Sequence, residues 1–426
     1  MKYTLFIICT LFFISCHQKE DRMAKVTNKE DYNKFLVSAP PKTSSKYFEV
    51  WNSKIKSDSM QLTSFGVVAR QYNNYFQSTG DIKFLKQAEQ ALEKAVEIAA
   101  IGKSGYYRAL ARNYISQHRF KEAFVWAEKA RILGSDLQES QALLFDVHME
   151  LGNYTEAEEY LNSIKNMSDF GYLIRLAKWN DHKGNLDTTI KFMEIAKTKA
   201  ESSKNKNLML WSYTNLADYY GHAGNIKESY EHYLKSLELD PKNAYAKKGI
   251  AWIVFSHERN PKEALRILNA VTKNHTAPDH YLLKAEIADY MGDDIEKIRN
   301  QDRYYNAIQD RSYGDMYNTY NVALFLQQNN WDKAIELAKK EVENRPTPES
   351  YDLLAYSYFK KGEKRKALEI VERFIAGKTA EPLILYHTAE IYKAMGTREK
   401  VESLKQELLG AIYELGPAAE QQIVSL

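Results

Sequence analysis

Cysteine is almost missing from this chain. There are two, Cys9 and Cys16, both in the first 16 residues. No disulfide framework can form, and no thiol nucleophile exists beyond residue 16. Proline and glycine are also scarce, at 9 and 18 of 426 residues, so helices can run with little interruption. An excess of either charge is lacking: 59 basic and 56 acidic residues leave a formal +3. So balanced a surface does not point to nucleic acid or to a strongly acidic substrate. Long hydrophobic runs are absent beyond Leu5 to Ile14, a stretch too short to span a bilayer as a helix.

The residue patterns of catalysis are missing too. Gly377-Lys378-Thr379 imitates the end of a phosphate loop, but Glu372 stands where the loop needs its first glycine, and residues 364–375 read as helix. His257-Glu258 imitates the start of a zinc-protease helix, but Pro261 takes the second histidine's place. No serine nucleophile elbow occurs, and acids spread along every solvated face rather than forming a pair. The expectation is a non-enzyme without cofactor or metal.

What is present begins at the N-terminus. One lysine precedes the apolar run, which ends in Phe13-Ile14-Ser15-Cys16. Ten apolar residues suit a signal-peptide core. The ending resembles a bacterial lipoprotein box, with Phe13 in place of the usual leucine. The resemblance implies a signal peptide over 1–15 and acylation of Cys16. Each buried methylene of such an anchor contributes ~0.8 kcal/mol. Gln18-Lys19-Glu20-Asp21 resembles the surface-export signal of Bacteroidota lipoproteins. It implies an outer-membrane, cell-surface protein, with a periplasm-facing body as the alternative. Residues 16–46 are polar, with a weakly helical piece near Asp31 to Val37, Pro40-Pro41 and a Thr-Ser-Ser run. They read as a membrane tether.

The rest of the chain, 47–426, is periodic. In residues 210–243, Leu216, Ala217 and Tyr220 form one cluster, and Ser229, Tyr233, Ser236 and Leu237 a second. Each has the three- and four-residue spacing of a buried helix face. Gly224-Asn225 lies between them as a turn signal, and Asp240-Pro241 stops the second helix. Leu216, Ala217, Tyr220, Gly224, Tyr233 and Pro241 resemble the tetratricopeptide repeat pattern, with Ser229 where alanine is usual. Laid along the chain, this register gives ten units starting near 66, 104, 138, 170, 210, 245, 278, 315, 348 and 382. The mean step is about 35 residues, close to the family's unit of about 34. Alanine recurs at Ala123, Ala157, Ala264, Ala334 and Ala367, where two helices cross closely; Lys297 and Val401 take that place in units 7 and 10.

The resemblance implies an all-α, right-handed α-solenoid. A helix over 47–57 (Tyr47, Phe48, Val50, Trp51, Ile55) and a tail over 417–424 are expected to cap its ends. The 30 tyrosines fit large packing positions or an aromatic binding face.

In this family the first helix of each unit lines a concave groove. The matching positions hold Arg108, Arg112, Asp146, Lys178, His182, Trp211, Asp218, His222, His257, Glu286 and Asp289. Arg108 and Arg112, four apart, are spaced to fork onto a carboxylate or phosphate, or to form a solvated basic face. Neither is a packing position, so reversing both charges is expected to leave stability unchanged. His182, His222 and His257 share one repeat position, but helix axes ~8–10 Å apart make a shared metal strained. The favoured reading is a lipid-anchored scaffold that binds a protein or peptide in its groove. A SusD-like glycan- or nutrient-binding lipoprotein, and an envelope-assembly lipoprotein working with an outer-membrane barrel, are the alternatives.

Overall fold

The computed structural model describes residues 25–37, 39–56 and 60–426. The expected signal peptide over 1–15, Cys9, Cys16 and the Lys19-Glu20-Asp21 run lie outside the described residues. Within them the fold is all-α, with no strand. Among the described residues no helix is long and apolar enough to cross a membrane.

Two short helices come first, α1 (Lys29–Leu36) and α2 (Lys46–Asn52). Ten antiparallel pairs follow. Units 1 to 5 are α3 (Leu62–Thr79) with α4 (Ile82–Ile98), α5 (Lys103–Ser116) with α6 (Phe120–Ile132), α7 (Leu137–Glu150) with α8 (Tyr154–Ser163), α9 (Phe170–His182) with α10 (Leu186–Ser203), and α11 (Lys206–His222) with α12 (Ile226–Leu239). Unit 6 is α13 (Ala244–Trp252), prolonged by a π-turn over Ile253–His257, with α14 (Pro261–Val271). Units 7 to 10 are α15 (Asp279–Tyr290) with α16 (Asp294–Ile308), α17 (Asn318–Gln327) with α18 (Trp331–Asn344), α19 (Pro348–Lys361) with α20 (Lys364–Ile370), and α21 (Pro382–Ala394) with α22 (Arg398–Gly410). A second π-turn, Val371–Ile375, extends α20; α23 (Ile412–Leu415) and α24 (Ala419–Val424) close the chain.

Local chemistry sets these boundaries. Asp169, Asn205, Asn243, Asn260 and Thr347 each accept backbone N–H bonds at a helix start, the preferred N-cap chemistry. The five recurring alanines are fully buried, as is Ser229 in the same role, so the paired helices approach closely. Phe48 of α2 packs beside Val68, Tyr75 and Phe84, covering the first unit. Ala419 and Ile423 of α24 pack on Leu385, Ala389 and Leu408, covering the last.

Two long-range features were not legible in the repeat. First, residues 25–36 are docked on the body rather than free, which differs from the expectation of a plain tether through residue 46. Tyr32 and Phe35 are buried among apolar residues of units 5 and 6. The backbone N–H groups of Val26 and Thr27 donate to Glu258 (2.9 and 2.6 Å). The Tyr32 hydroxyl donates to Glu263 (2.9 Å), which also pairs with Lys29 (2.7 Å). The physical reason is the two aromatics, spaced three apart on one face of α1.

Second, the array coils back on itself. The Thr276 N–H donates to the Thr79 carbonyl (2.7 Å). Asn344 donates to the His118 carbonyl (3.1 Å) and Arg345 pairs with Glu150 (3.5 Å). Turns of early units thus rest on linkers of late ones. At the first contact Gly80 has φ +68°, and a Cβ there would lie 2.6 Å from the Ala277 backbone N. Gly224 has a similar φ of +74° with nothing within 4 Å. Gly224→Ala is expected to cost only the left-handed strain, about 1–2 kcal/mol. Gly80→Ala adds the backbone clash and is expected to cost at least about 1 kcal/mol more. Urea titration of the two variants checks this; equal losses would mean that the coil-to-coil contact is not tight.

Candidate functional site

The first helices of the units line the inside of the coil, and the residues read as groove positions fall into two zones. In units 2 to 4 they satisfy one another. Arg108 is buried, with 7 % of its surface exposed, and is not free to fork onto a ligand. It donates to Ser104 (3.2 Å), the Ser135 carbonyl (3.2 Å), Ser140 (3.1 Å) and Asp136 (2.8 Å), tying unit 2 to unit 3. The expectation that it occupies no packing position is therefore corrected. Arg112 is half exposed and reaches Glu139 at 3.4 Å. Asp146 pairs with Arg175 (2.5 Å) and Lys178 with Glu150 (2.9 Å). This wall is a ladder of ion pairs between neighbouring helices.

The three histidines are not brought together. His182 stacks on Tyr154 at 4.0 Å between centroids. His222 pairs through Nδ1 with Glu414 (2.6 Å). His257 ends the π-turn of unit 6. Among the described residues no group of three His, Cys, Asp or Glu side chains could hold a metal ion. Trp211 is 40 % exposed and meets the Phe170 ring edge-on.

Units 5 to 8 are different. The first helices α11, α13, α15 and α17 wall a chamber of about 670 Å³, closed opposite by Leu383 of α21 and by Glu414 and Leu415 of α23. Tyr245, Trp252 and Tyr320 supply its aromatic surface, and Asp218, Asp279, Glu286 and Asp289 its carboxylates. Two of the acids are neutralised: Lys248 pairs with Asp279 (2.6 Å) and Lys297 with Asp289 (2.9 Å). Asp218 instead accepts from the hydroxyls of Tyr233 and Tyr245. Burial raises its pKa even so, against the opposing effect of those bonds. Glu286 lines the chamber and is exposed within it. Burial, then repulsion from Asp289, pushes its carboxyl up to about 7, with Lys248 opposing. Both acids are without an ion pair of their own, Lys248 being held by Asp279. The chamber can therefore hold a cationic group against carboxylates and aromatic faces.

Asp218, Glu286 and Asp289 were legible from the repeat register. Tyr245, Lys248 and Tyr320 were not, since they sit at other repeat positions, whereas Asp279 shares the repeat position of Trp211. Nothing in the sequence signalled α23, whose return into the coil is a long-range event.

These elements define the class: an all-α solenoid of helix–turn–helix units coiled around an inner binding surface. Residues 212–243 match the family model described as a tetratricopeptide repeat. No curated protein matches the chain. Among solved structures it resembles a tetratricopeptide repeat protein from Parabacteroides merdae (15 % identity, 57 % of this chain and 93 % of that one, TM-score 0.39). It also resembles the human IFIT1 dimer with PPP-AAAA (13 %, 79 % and 95 %, TM-score 0.42). A third likeness is to the APC/C hetero-tetramer Cut9-Hcn1 (12 %, 87 % and 94 %, TM-score 0.35). Identities this low and TM-scores below 0.5 carry no functional implication for this chain.

Proposed function

We propose that the protein is an outer-membrane lipoprotein, anchored through Cys16, that acts as a scaffold by binding a segment of a partner protein inside its coil. The chamber of units 5 to 8 is the main contact. The observation that carries this reading is the contrast within the inner wall. Arg108, Arg112, Asp146 and Lys178 of units 2 to 4 are each ion-paired, whereas Asp218 and Glu286 have no ion pair and stand beside exposed aromatic surface. A basic side chain of the partner supplies the missing charge. The glycan-binding alternative needs long loops between repeat helices. Here the connectors are short: three residues, Ala223-Gly224-Asn225, join α11 to α12. The envelope-assembly alternative differs only in the partner, an outer-membrane barrel.

Three measurements test the proposal. Cys16→Ala is expected to remove the protein from the outer-membrane fraction; unchanged fractionation contradicts the anchor. Changing Lys19, Glu20 and Asp21 to alanine is expected to keep the anchor but abolish protease accessibility on intact cells. For the chamber, the partner recovered from envelope is expected to bind about tenfold more tightly at pH 8 than at pH 6, because a bound cation holds Glu286 ionised. The sign follows from the raised carboxyl: below pH 7 binding must first expel its proton. Glu286→Gln is expected to flatten that dependence; an unaltered pH profile places the contact elsewhere.

A further inference from the structure

The inner surface is not empty: the chain's own C-terminal turn sits in it. Helix α23 has only four residues, none of them buried, yet it reaches across the coil to units 5 and 6. Trp252 Nε1 and Ser256 Oγ both donate to the Tyr413 carbonyl, at 3.1 and 2.6 Å. The Glu414 carboxylate meets His222 Nδ1 at 2.6 Å. The Tyr413 ring lies against Gly221 so closely that a Cβ there would come within 2.7 Å of it. The seat thus has three parts: a flat glycine platform for an aromatic ring, two donors for its backbone carbonyl, and a histidine for the next residue's carboxylate.

The segment that fills the seat is a small element on two hinges. Ala411 separates α23 from α22, and Gly416, at φ +86°, ends it. Beyond the hinge α24 is fixed on unit 10 by Ala419 and Ile423. Ile412 and Leu415 of α23 also pack against the cap cluster of unit 10, so vacating the seat takes away only part of the cap's apolar cover. A four-residue helix cannot hold itself together; its order depends on these contacts. Such weakly buried elements open at low free-energy cost.

We propose that this seat is a docking site for a partner peptide bearing an aromatic residue followed by an acidic one, and that Tyr413-Glu414 is its built-in competitor. The proposal rests on the scaffold reading above and names the sequence feature that such a partner presents. Because α23 is tethered at both ends, its effective concentration is in the millimolar range expected of a short linker. A partner must outcompete it, and on doing so opens the wall that Glu414 and Leu415 give to the chamber.

The test uses a fluorescein-labelled peptide with the sequence of residues 409–418, LGAIYELGPA, read by anisotropy against the full chain. The Tyr413→Ala/Glu414→Ala variant, with its seat vacated, is expected to bind the peptide saturably, at least tenfold more tightly than the wild type. A peptide with both residues changed to alanine is expected not to bind. Adding Gly221→Ala to the double variant is expected to abolish binding by filling the platform. Should the double variant fail to fold, Glu414→Ala alone removes the competitor's bond to His222 and leaves the seat intact, and it is expected to admit the peptide more readily than the wild type. Equal binding to wild type and variant, or none to a folded variant, overturns the proposal. The scaffold reading is separable: a partner that still binds through Glu286 with no response to Tyr413→Ala/Glu414→Ala retains the chamber and discards the seat.

Discussion

Arg108→Glu is expected to destabilise the protein by about 3–5 kcal/mol, the range for an uncompensated charge in a buried site. Arg112→Glu, one helical turn away, is expected to change stability by less than about 0.5 kcal/mol, as surface substitutions do. The difference arises from what each side chain touches. Arg108 is buried and donates to Ser104, Ser135, Ser140 and Asp136. A carboxylate there faces the Ser135 carbonyl and Asp136, both acceptors. Arg112 has half its side chain in solvent and one 3.4 Å contact. Urea unfolding of the two single variants reads the result directly. Similar small losses would mean that the unit 2–3 junction does not depend on the buried guanidinium.

Glu263→Ala is expected to cost about 3 kcal/mol and to release residues 25–36 from the body. Burial alone would raise this carboxyl's pKa. The bonds from Arg266, Lys29 and Tyr32 outweigh that and hold it down at about 2. It is 6 % exposed, so solvent screening takes little from the interaction. A drop from the ordinary 4.5 to about 2 is worth about 3 kcal/mol, since one pKa unit is about 1.4 kcal/mol. The sign is that of a depressed acid: the stabilisation is present above pH 4.5 and is lost as pH falls from there towards 2. Without the carboxylate, the buried Tyr32 hydroxyl loses its acceptor. Thermal melts of wild type and variant between pH 7 and pH 2.5 are expected to converge on acidification, with hydrogen exchange at residues 29–36 rising in the variant at pH 7. A constant gap across that range would contradict the account.

The repeating part of this fold was legible because it obeys one rule at a time. Alanine at the helix crossing, glycine in the turn and a polar N-cap each act within about 34 residues, and the structure buries the alanines where the register places them. The docked N-terminal helix and the returning α23 involve contacts between residues about 150 to 230 apart, and Arg108 departs through a loop about 30 residues away. Tyr32 and Phe35 form an apolar pair inside a polar stretch, too short a signal to reveal a docking surface on units 5 and 6. Arg108 reads as a groove residue by position. Its burial depends on how the loop at Ser135 and Asp136 folds over it. The chamber was half legible: Asp218 and Glu286 stood at groove positions, but that they lack cations is a property of their neighbours. In the N-terminal half of the groove Arg112, Asp146 and Lys178 each find an opposite charge on a neighbouring helix.

The central claim is that the partner enters the coil and contacts the chamber of units 5 to 8. It is tested most directly by placing a photo-crosslinking amino acid at Tyr320, on the chamber wall, and separately at Lys191, exposed on the second helix of unit 4, and irradiating intact cells. The account predicts one discrete crosslinked protein from position 320, diminished by Glu286→Gln, and none from position 191. Crosslinking from position 191 alone, or equally from both, would contradict it.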